Sequence, residues 1–459
     1  MRIIRSLNLL FIPILLLFAM NPAFSQEVDT TAHNNQSEKK ENRKVLQAEE
    51  RNGLLVLESK DQEYKIWFDA RLQADGAMFI GNTYNPIGNG VSIRRARFAL
   101  KSQFAEKWYA EIHMDISNSE LKLKDAYLEF SPNNHWGLQV GNFKEGFSIE
   151  SIISSRYLTF IERANVISTF APSRHLGLAV HYHKNWFFGM GGIHFQDISG
   201  LEERTFSIDN NKEYGYDEGV SITGRWVVMP FFNDMSSGLH LGIAGSYRTP
   251  KSDAEIHGTE RYSSRSLSSI NRKKYMDTDI IPDVDHVGLG GFELAAYHKN
   301  FRFQSEYVVT KVHKKNALPK EQFDGWYAFG SILLFGGNYN YNRSQAKFTQ
   351  PDRGKEWGDI ELAFRYDYLS LNSSGNGTIL GGAGQSYTFG INYHMNSNVK
   401  IMFNYAYITH DRYANGNGEL FVGYNKAGEL TKDPKEVEDT RGKVGEDYSM
   451  VTVRFEVNF

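Results

Sequence analysis

The sequence contains no cysteine and only 11 prolines in 459 residues. Without cysteine the chain has no disulfide, no thiolate metal site and no lipid-anchored N-terminal cysteine. After the N-terminal leader, no apolar run approaches the roughly eighteen residues that a membrane-spanning helix needs. The motifs of P-loop nucleotide-binding proteins, zinc proteases and serine hydrolases are also missing. These absences exclude a helical membrane protein and argue against an enzyme.

The N-terminus has the pattern of a secretory signal peptide. Arg2 and Arg5 precede an apolar run from Leu9 to Met20, and small residues stand at both ends of Ala23-Phe24-Ser25. We therefore expect residues 1–25 to be removed on export. The alternative is a retained membrane anchor.

Residues 26–62 are polar and charged, which predicts a periplasmic N-terminal segment. Within it, Gln47 to Arg51 are candidates for a short helix, and a coiled-coil stub is an alternative. The net charge of the whole chain is −3. Because there is no basic excess, no nucleic-acid partner is expected.

Within the last twelve residues, those from 451 to 459 alternate strictly between apolar and polar side chains. The apolar members are Val451, Val453, Phe455, Val457 and Phe459, and the polar members are Thr452, Arg454, Glu456 and Asn458. Alternation with a period of two is typical of a β-strand with one apolar and one polar face. A chain that ends on such a strand fits a sheet that closes on itself with its outer face in lipid.

The same alternation recurs in sixteen segments from residue 63 to residue 459, and aromatic residues make up 14% of the chain. Tight connections at 105–106, 131–135, 183–185, 298–300 and 395–400 alternate with long ones at 80–91, 143–175, 196–219, 249–286, 311–324, 370–386 and 409–447. Short periplasmic turns and long exterior loops are typical of outer-membrane barrels. The connections 119–122 and 335–359 depart from the pattern. The sequence predicts an all-β fold, a transmembrane antiparallel β-barrel of about 16 strands over residues 63–459.

The third exterior connection, residues 143–175, is long and unusually apolar. An exposed loop does not need so many apolar residues, so we expect this one to fold inward and constrict the lumen. The alternative is that it packs on neighbouring loops or subunits. Its charged residues, the candidates for the constriction, are Lys144, Glu145, Arg156, Glu162, Arg163 and Arg174.

Basic residues occupy the polar face of the first two predicted barrel strands. Arg71, Arg95, Arg97 and Lys101 face the lumen in this interpretation, where guanidinium groups could replace the hydration shell of an anion. The alternative is that they pair with carboxylates of neighbouring strands, and those carboxylates are Glu111, Asp115, Asp125 and Glu129.

Several segments resemble the phosphate-selective porin O and P family. They are VSIRRARFALKSQF at 91–104, LKDAYLEF at 123–130, VGNFKEGFSIESIISSRYLTFIERA at 140–164, SRHLGL at 173–178, GWYAFGSILL at 325–334 and NVKIMFNYAY at 398–407. The resemblance implies a sixteen-stranded barrel, usually a homotrimer, with its third loop at the constriction. It also implies that Arg71 and the run Arg94-Arg95-Ala96-Arg97 line an anion path. Gly146 and Gly336-Gly337 depart from the family pattern.

The function predicted from these features is a passive outer-membrane channel for small anions such as phosphate or polyphosphate, with no cofactor and no metal. A general diffusion porin with little ion selectivity is the alternative, and an adhesin or structural barrel plugged by its own loop is a third hypothesis. His181 and His183 share one strand face and are a weak candidate for a metal site, better explained as polar residues at the barrel rim.

Overall fold

The computed structural model describes residues 46–51, 54–198, 219–231, 234–250, 258–438 and 445–459. The predicted signal peptide and the first part of the polar segment lie outside these ranges. Among the described helices, none is both long enough and apolar enough to cross a membrane.

The main sheet has 18 strands, and two N-terminal strands stand outside the ring, which leaves sixteen in a closed antiparallel barrel. The barrel strands are β3 Tyr64–Ile80, β4 Gly90–Phe104, β5 Trp108–Asp115, β6 Lys122–Phe130, β7 Trp136–Lys144, β8 Arg174–Lys184, β9 Phe187–His194, β10 Ser221–Val228, β11 Ser237–Arg248, β14 Val284–His298, β15 Phe301–Lys314, β16 Glu321–Leu333, β19 Asp359–Asn372, β20 Leu380–His394, β21 Val399–His410 and β26 Asp447–Asn458. Strand β26 pairs with β3 and closes the ring. The predicted sixteen-stranded barrel is confirmed.

The barrel is inverted relative to a soluble protein, because its apolar residues face outward. On β26, Val453 and Phe455 are 43% and 47% exposed, whereas the adjacent Thr452 and Arg454 are buried. Exposing apolar side chains to water costs free energy, and a lipid environment removes that cost. The alternation seen in the sequence therefore places the outer surface in a bilayer.

Aromatic side chains form two outward-facing bands. Near the short turns, Trp108 packs on Phe130 and Trp136 packs on Tyr182, with ring centroids 4.6 and 4.7 Å apart. Towards the long loops, the ring of Tyr366 lies between those of Trp326 and Tyr387 at 4.9 and 5.2 Å. Such bands are typical of the two interfaces of an outer-membrane barrel.

The N-terminal segment contributes a β-hairpin of β1 (Leu46–Arg51) and β2 (Leu54–Ser59). Strand β2 pairs with the first residues of β3, along the part of that edge of β3 that β26 does not cover. The predicted short helix over Gln47 to Arg51 is wrong, because pairing with β2 satisfies this backbone and overrides its local helix propensity.

Three connections carry further secondary structure. The third exterior loop, residues 145–173, contains helices α1 (Ile149–Ile152) and α2 (Asn165–Phe170). The other small elements are the hairpin of β12 Ser263–Arg265 and β13 Lys274–Asp277, the hairpin of β17 Tyr341–Asn342 and β18 Lys347–Phe348, the pair of β22 Tyr413–Ala414 and β23 Leu420–Phe421, the pair of β24 Gly423–Tyr424 and β25 Leu430–Thr431, and 3-10 turns at Ser117–Ser119 and Pro434–Glu436.

Candidate functional site

The third loop folds into the lumen, as predicted, and its apolar side chains cover one wall. Phe147, Phe160 and Val166 are buried in one cluster with Val308 and Phe329 of β15 and β16. Each such ring contributes about 1.5–3 kcal/mol when it leaves water. This packing fills the side of the lumen formed by β14 to β19.

Side chains of the barrel wall satisfy the backbone of the third loop. Arg454 donates to the carbonyl of Ile161 at 2.6 Å, and Lys400 donates to the carbonyl of Arg156 at 2.8 Å. Glu306 accepts hydrogen bonds from the first two amides of α1, those of Ile149 and Glu150. A buried loop carries polar groups that water cannot reach, so these contacts remove most of the cost of its burial.

A β-bulge in β4 turns two consecutive arginines towards the lumen. The register with β3 shifts between Gln73 and Ala74, which pair with Arg95 and Ile93, so Arg94 is the extra residue. A bulge re-aims a side chain that strict alternation would place outside. Arg94 reaches Glu162 of the third loop, and Arg95 donates to the side chain of Gln73 at 2.7 Å.

A polar cavity of about 360 Å³, here called the outer chamber, lies where Arg94, the two ends of the third loop and residues 263–274 meet. Six cationic side chains and a single carboxylate line it: Arg94, Lys144, Arg163, Arg174, Arg265, Lys274 and Glu162. Hydroxyl groups fill the spaces between the charges, and they belong to Ser151, Ser168, Thr169, Ser173, Ser263, Ser264 and Ser266. The chamber therefore offers many donors and an excess of positive charge to a solute.

Four of the six predicted constriction-loop residues lie at the outer chamber. Lys144 and Arg174 are cross-strand partners at the base of the third loop, at the ends of β7 and β8. Lys144 donates to the carbonyl of Ser151 at 2.6 Å, and Arg163 donates to the carbonyl of Glu150 at 2.8 Å. Together with Glu162 these residues line the outer chamber, whereas Arg156 lies at the other end of the loop, near the periplasmic mouth.

Glu145 is fully buried rather than exposed to the lumen. Its carboxylate accepts hydrogen bonds from Arg248 at 2.8 Å and from Thr223 at 2.5 Å, and His175 lies 2.6 Å away. This residue fixes the start of the third loop to β8, β10 and β11.

The basic residues predicted to face the lumen from the first two barrel strands differ in their roles. Arg71 is 6% exposed and donates to Asn458, Ser155 and Ser154, so it supports the third loop from below. Arg97 and Lys101 point into the lumen and are paired with carboxylates.

Arg97 donates to Asp115 at 2.8 Å, and Lys101 donates to Asp69 at 2.7 Å. Arg174 donates two hydrogen bonds to the carboxylate of Asp125, at 2.9 and 2.8 Å. Pairing with the expected carboxylates, the alternative weighed from the sequence, therefore applies to Arg97, whereas Lys101 is closest to Asp69, which was not among them.

Comparison with known proteins agrees with this architecture. The model of the family described as phosphate-selective porin O and P matches residues 67–422. The chain belongs to this family. It is an outer-membrane porin, a channel rather than an enzyme.

Two relatives and one solved structure illustrate the similarity. The porin is 24% identical to Porin O of Pseudomonas aeruginosa over 399 residues, covering 80% of this chain and 88% of that protein. It is 26% identical over 326 residues to an uncharacterized protein of Caulobacter vibrioides, covering 70% of this chain but 63% of that protein. The trimer form of OmpT, an outer membrane protein of Vibrio cholerae, superposes with a TM-score of 0.51 at 12% identity, covering 86% of this chain and 99% of that one.

Sequence reasoning missed three basic residues of the porin that the structure places at the lumen. Arg265 and Lys274 reach the outer chamber because residues 258–286, the part of this connection next to β14, fold inward. Among the described residues, the guanidinium of Arg265 has no hydrogen-bond or ion-pair partner. Lys347 sits on the β17–β18 hairpin of the connection 335–359, which enters the barrel from the periplasmic end. The connection 335–359 carried a signal in its five aromatic residues, whereas 249–286 contains only Tyr262 and Tyr275.

A group with metal-ligand chemistry lies on the inner face of β5 and β6. One ligand atom from each of Glu111, His113 and Asp125 lies within 4.8 Å of the other two. Asp125 already accepts hydrogen bonds from Nε and a terminal nitrogen of Arg174. The ammonium nitrogen of Lys101 lies 4.0 Å from a carboxylate oxygen of Glu111. Cationic side chains thus already neutralise these two carboxylates. His181 does not join this group and lies 3.3 Å from Glu129.

Proposed function

We propose that the porin conducts small anions through the outer chamber and that its cationic side chains provide the selectivity. The observation that carries this proposal is the ratio of six cations to one carboxylate around a cavity of about 360 Å³. Charges of one sign in a cleft with low-dielectric walls raise the local concentration of counter-ions. An anion that enters the chamber also exchanges water for guanidinium and hydroxyl donors.

The pore-lining role falls on Arg94, Lys144, Arg163, Arg174, Arg265 and Lys274, with Arg97 and Lys101 next along the lumen. Arg71, Arg95, Arg156 and Glu145 position the third loop and the wall instead. Phosphate is the solute that we propose from this set, because its several oxygens match a mixture of forked guanidinium and hydroxyl donors. Polyphosphate presents the same chemistry.

Reversal potentials across a planar bilayer test this proposal. The purified porin in a tenfold gradient of potassium chloride should give a potential of the sign expected for anion flux. The double variant Arg265→Glu with Lys274→Glu should shift the reversal potential towards the value for cation flux, because it reverses two charges of the chamber. Neither residue anchors the third loop, so the loop should stay in place. Lys426→Glu, in an exposed exterior turn, is the control and should leave it unchanged. A wild-type potential near zero would favour the general diffusion porin.

We also propose that the porin assembles as a homotrimer, as the similar Vibrio cholerae protein does in its trimer form. The broad apolar outer surface permits both lipid and subunit contacts. Analytical ultracentrifugation in a density-matched detergent should give three chains per particle. A particle with the mass of one chain would contradict this assembly.

A further inference from the structure

A second cavity, of about 760 Å³, opens at the periplasmic mouth of the barrel. Four parts of the chain surround it: strand β2, the first residues of β3, the tip of the third loop and the connection 335–359. We call it the inner pocket and define it by Lys65, Trp67, Arg156, Tyr157, Arg353 and Lys355. Its volume is in the range of sites that hold small organic molecules.

The charge of the inner pocket is positive. Four of its lining residues are cationic and one, Asp352, is acidic. Lys65 lies 3.0 Å from Glu58, whereas the ammonium group of Lys355 has no partner among the described residues. Asp352 accepts a hydrogen bond from Asn340 at 2.8 Å. An anion in the pocket would therefore meet cations that are not fully neutralised.

Arg156 gives the pocket a buried donor. Its side chain is 9% exposed, and one of its terminal nitrogens is bonded to Asp69. Its Nε is buried and lacks a hydrogen-bond partner in the described part of the chain. A buried donor without a partner is unfavourable, and an acceptor on a ligand would remove that cost.

Aromatic rings distinguish the inner pocket from the outer chamber, whose lining contains none. Trp67 packs on Tyr109 with centroids 5.9 Å apart, and this contact holds its indole in place. The guanidinium of Arg156 lies 5.8 Å from the ring centroid of Tyr157. Flat ring faces beside guanidinium groups bind planar groups by stacking. A bare tetrahedral anion has no planar group, so the rings add nothing to its binding.

We propose that the inner pocket binds organic anions that carry a flat ring, with aryl phosphates as the representative class, and that they enter it from the periplasmic side. The charged group lies near Arg156, Arg353 and Lys355, and the ring lies against Trp67 and Tyr157. This site is separate from the chamber that carries the proposed anion selectivity. A bound ring would obstruct the periplasmic exit and reduce the current.

Current block in a single-orientation bilayer tests the proposal. Phenyl phosphate added on the periplasmic side should halve the potassium chloride current at about one tenth of the concentration that inorganic phosphate needs. Trp67→Ala should abolish that difference, and Trp67→Phe should retain most of it. Lys355→Glu should weaken block by both anions, whereas the control Lys426→Glu should not.

Equal block by phenyl phosphate and inorganic phosphate would overturn the proposal, as would block that Lys355→Glu does not weaken. The reversal potential in potassium chloride, measured on the same channels, reports on the proposed anion selectivity with no aromatic ligand present. A porin with no anion preference can still show ring-dependent block, so failure of one proposal is distinguishable from failure of the other.

Discussion

Arg94 and Glu162 form the ion pair that joins the bulge of β4 to the third loop. Arg94 Nε donates to Glu162 Oε1 at 2.5 Å, and a terminal nitrogen donates to Oε2 at 3.1 Å. Burial alone would raise the pKa of Glu162, but Arg94 and the neighbouring arginines Arg95 and Arg454 hold that pKa well below its usual range. The only carboxylate of the outer chamber is therefore ionised under working conditions.

Replacing that carboxylate should strengthen anion selectivity. In Glu162→Gln the chamber loses its one negative charge while the amide can still accept a hydrogen bond from Arg94. We expect the anion-to-cation permeability ratio to rise about threefold, as suits a single partly screened charge. Reversal potentials measure this ratio. Glu120→Gln, whose side chain is 62% exposed in an exterior loop, should leave it unchanged. An unaltered ratio in Glu162→Gln would contradict the role given to the chamber.

The anchoring of α1 by Glu306 can be tested separately. Glu306 accepts from the amides of Ile149 and Glu150 at 3.1 and 2.9 Å and from the hydroxyl of Tyr327 at 2.6 Å. Glu306→Ala leaves those donors buried and unsatisfied, at about 1–3 kcal/mol for each. We expect the third loop to detach, with larger and noisier single-channel conductance. Glu429→Ala, in an exposed turn, is the control, and quiet wild-type conductance in Glu306→Ala would refute the anchor.

The sequence predicted those features that depend on period and composition. The alternation of β26 is sufficient to place Val453 outside and Arg454 inside, because side chains of a strand alternate whatever their partners are. The inward fold of the third loop followed from apolar residues such as Phe147 and Phe160, which have no other place to be buried.

Features that depend on register and tertiary contact were not predictable. The bulge that turns Arg94 inward is a pairing irregularity, and no residue type signals it. The pairing of Arg97 with Asp115 rather than with a solute depends on which rows of β4 and β5 face each other. The inward fold of 335–359 had a readable signal in Tyr339, Tyr341 and Phe348, which are buried against the third loop.

Lys347 should make selectivity depend on pH. Burial, together with nearby Lys101 and Arg225, lowers the pKa of Lys347 to about 8, although Glu111 and Asp125 act in the opposite direction. An amine is charged below its pKa and neutral above it, so this cation is present at about pH 7 and lost by about pH 9. The anion-to-cation permeability ratio should fall across that interval.

Two substitutions separate this effect from general alkaline changes. Lys347→Arg stays charged at both pH values and should remove the fall while keeping strong anion preference. Lys347→Met should give the lower ratio throughout. A fall of wild-type size in Lys347→Met would show that another group titrates.

The most direct test of the anion path uses a single cysteine, since the natural chain has none. Ser173 lines the outer chamber and is exposed. In Ser173→Cys, a negatively charged methanethiosulfonate reagent should react about tenfold faster than a positively charged one of similar size, because the chamber concentrates anions. At Ala427→Cys, in an exposed exterior turn, the two rates should be similar. Equal rates at both positions, or faster reaction of the cationic reagent at Ser173→Cys, would contradict an anion-selective path through this chamber.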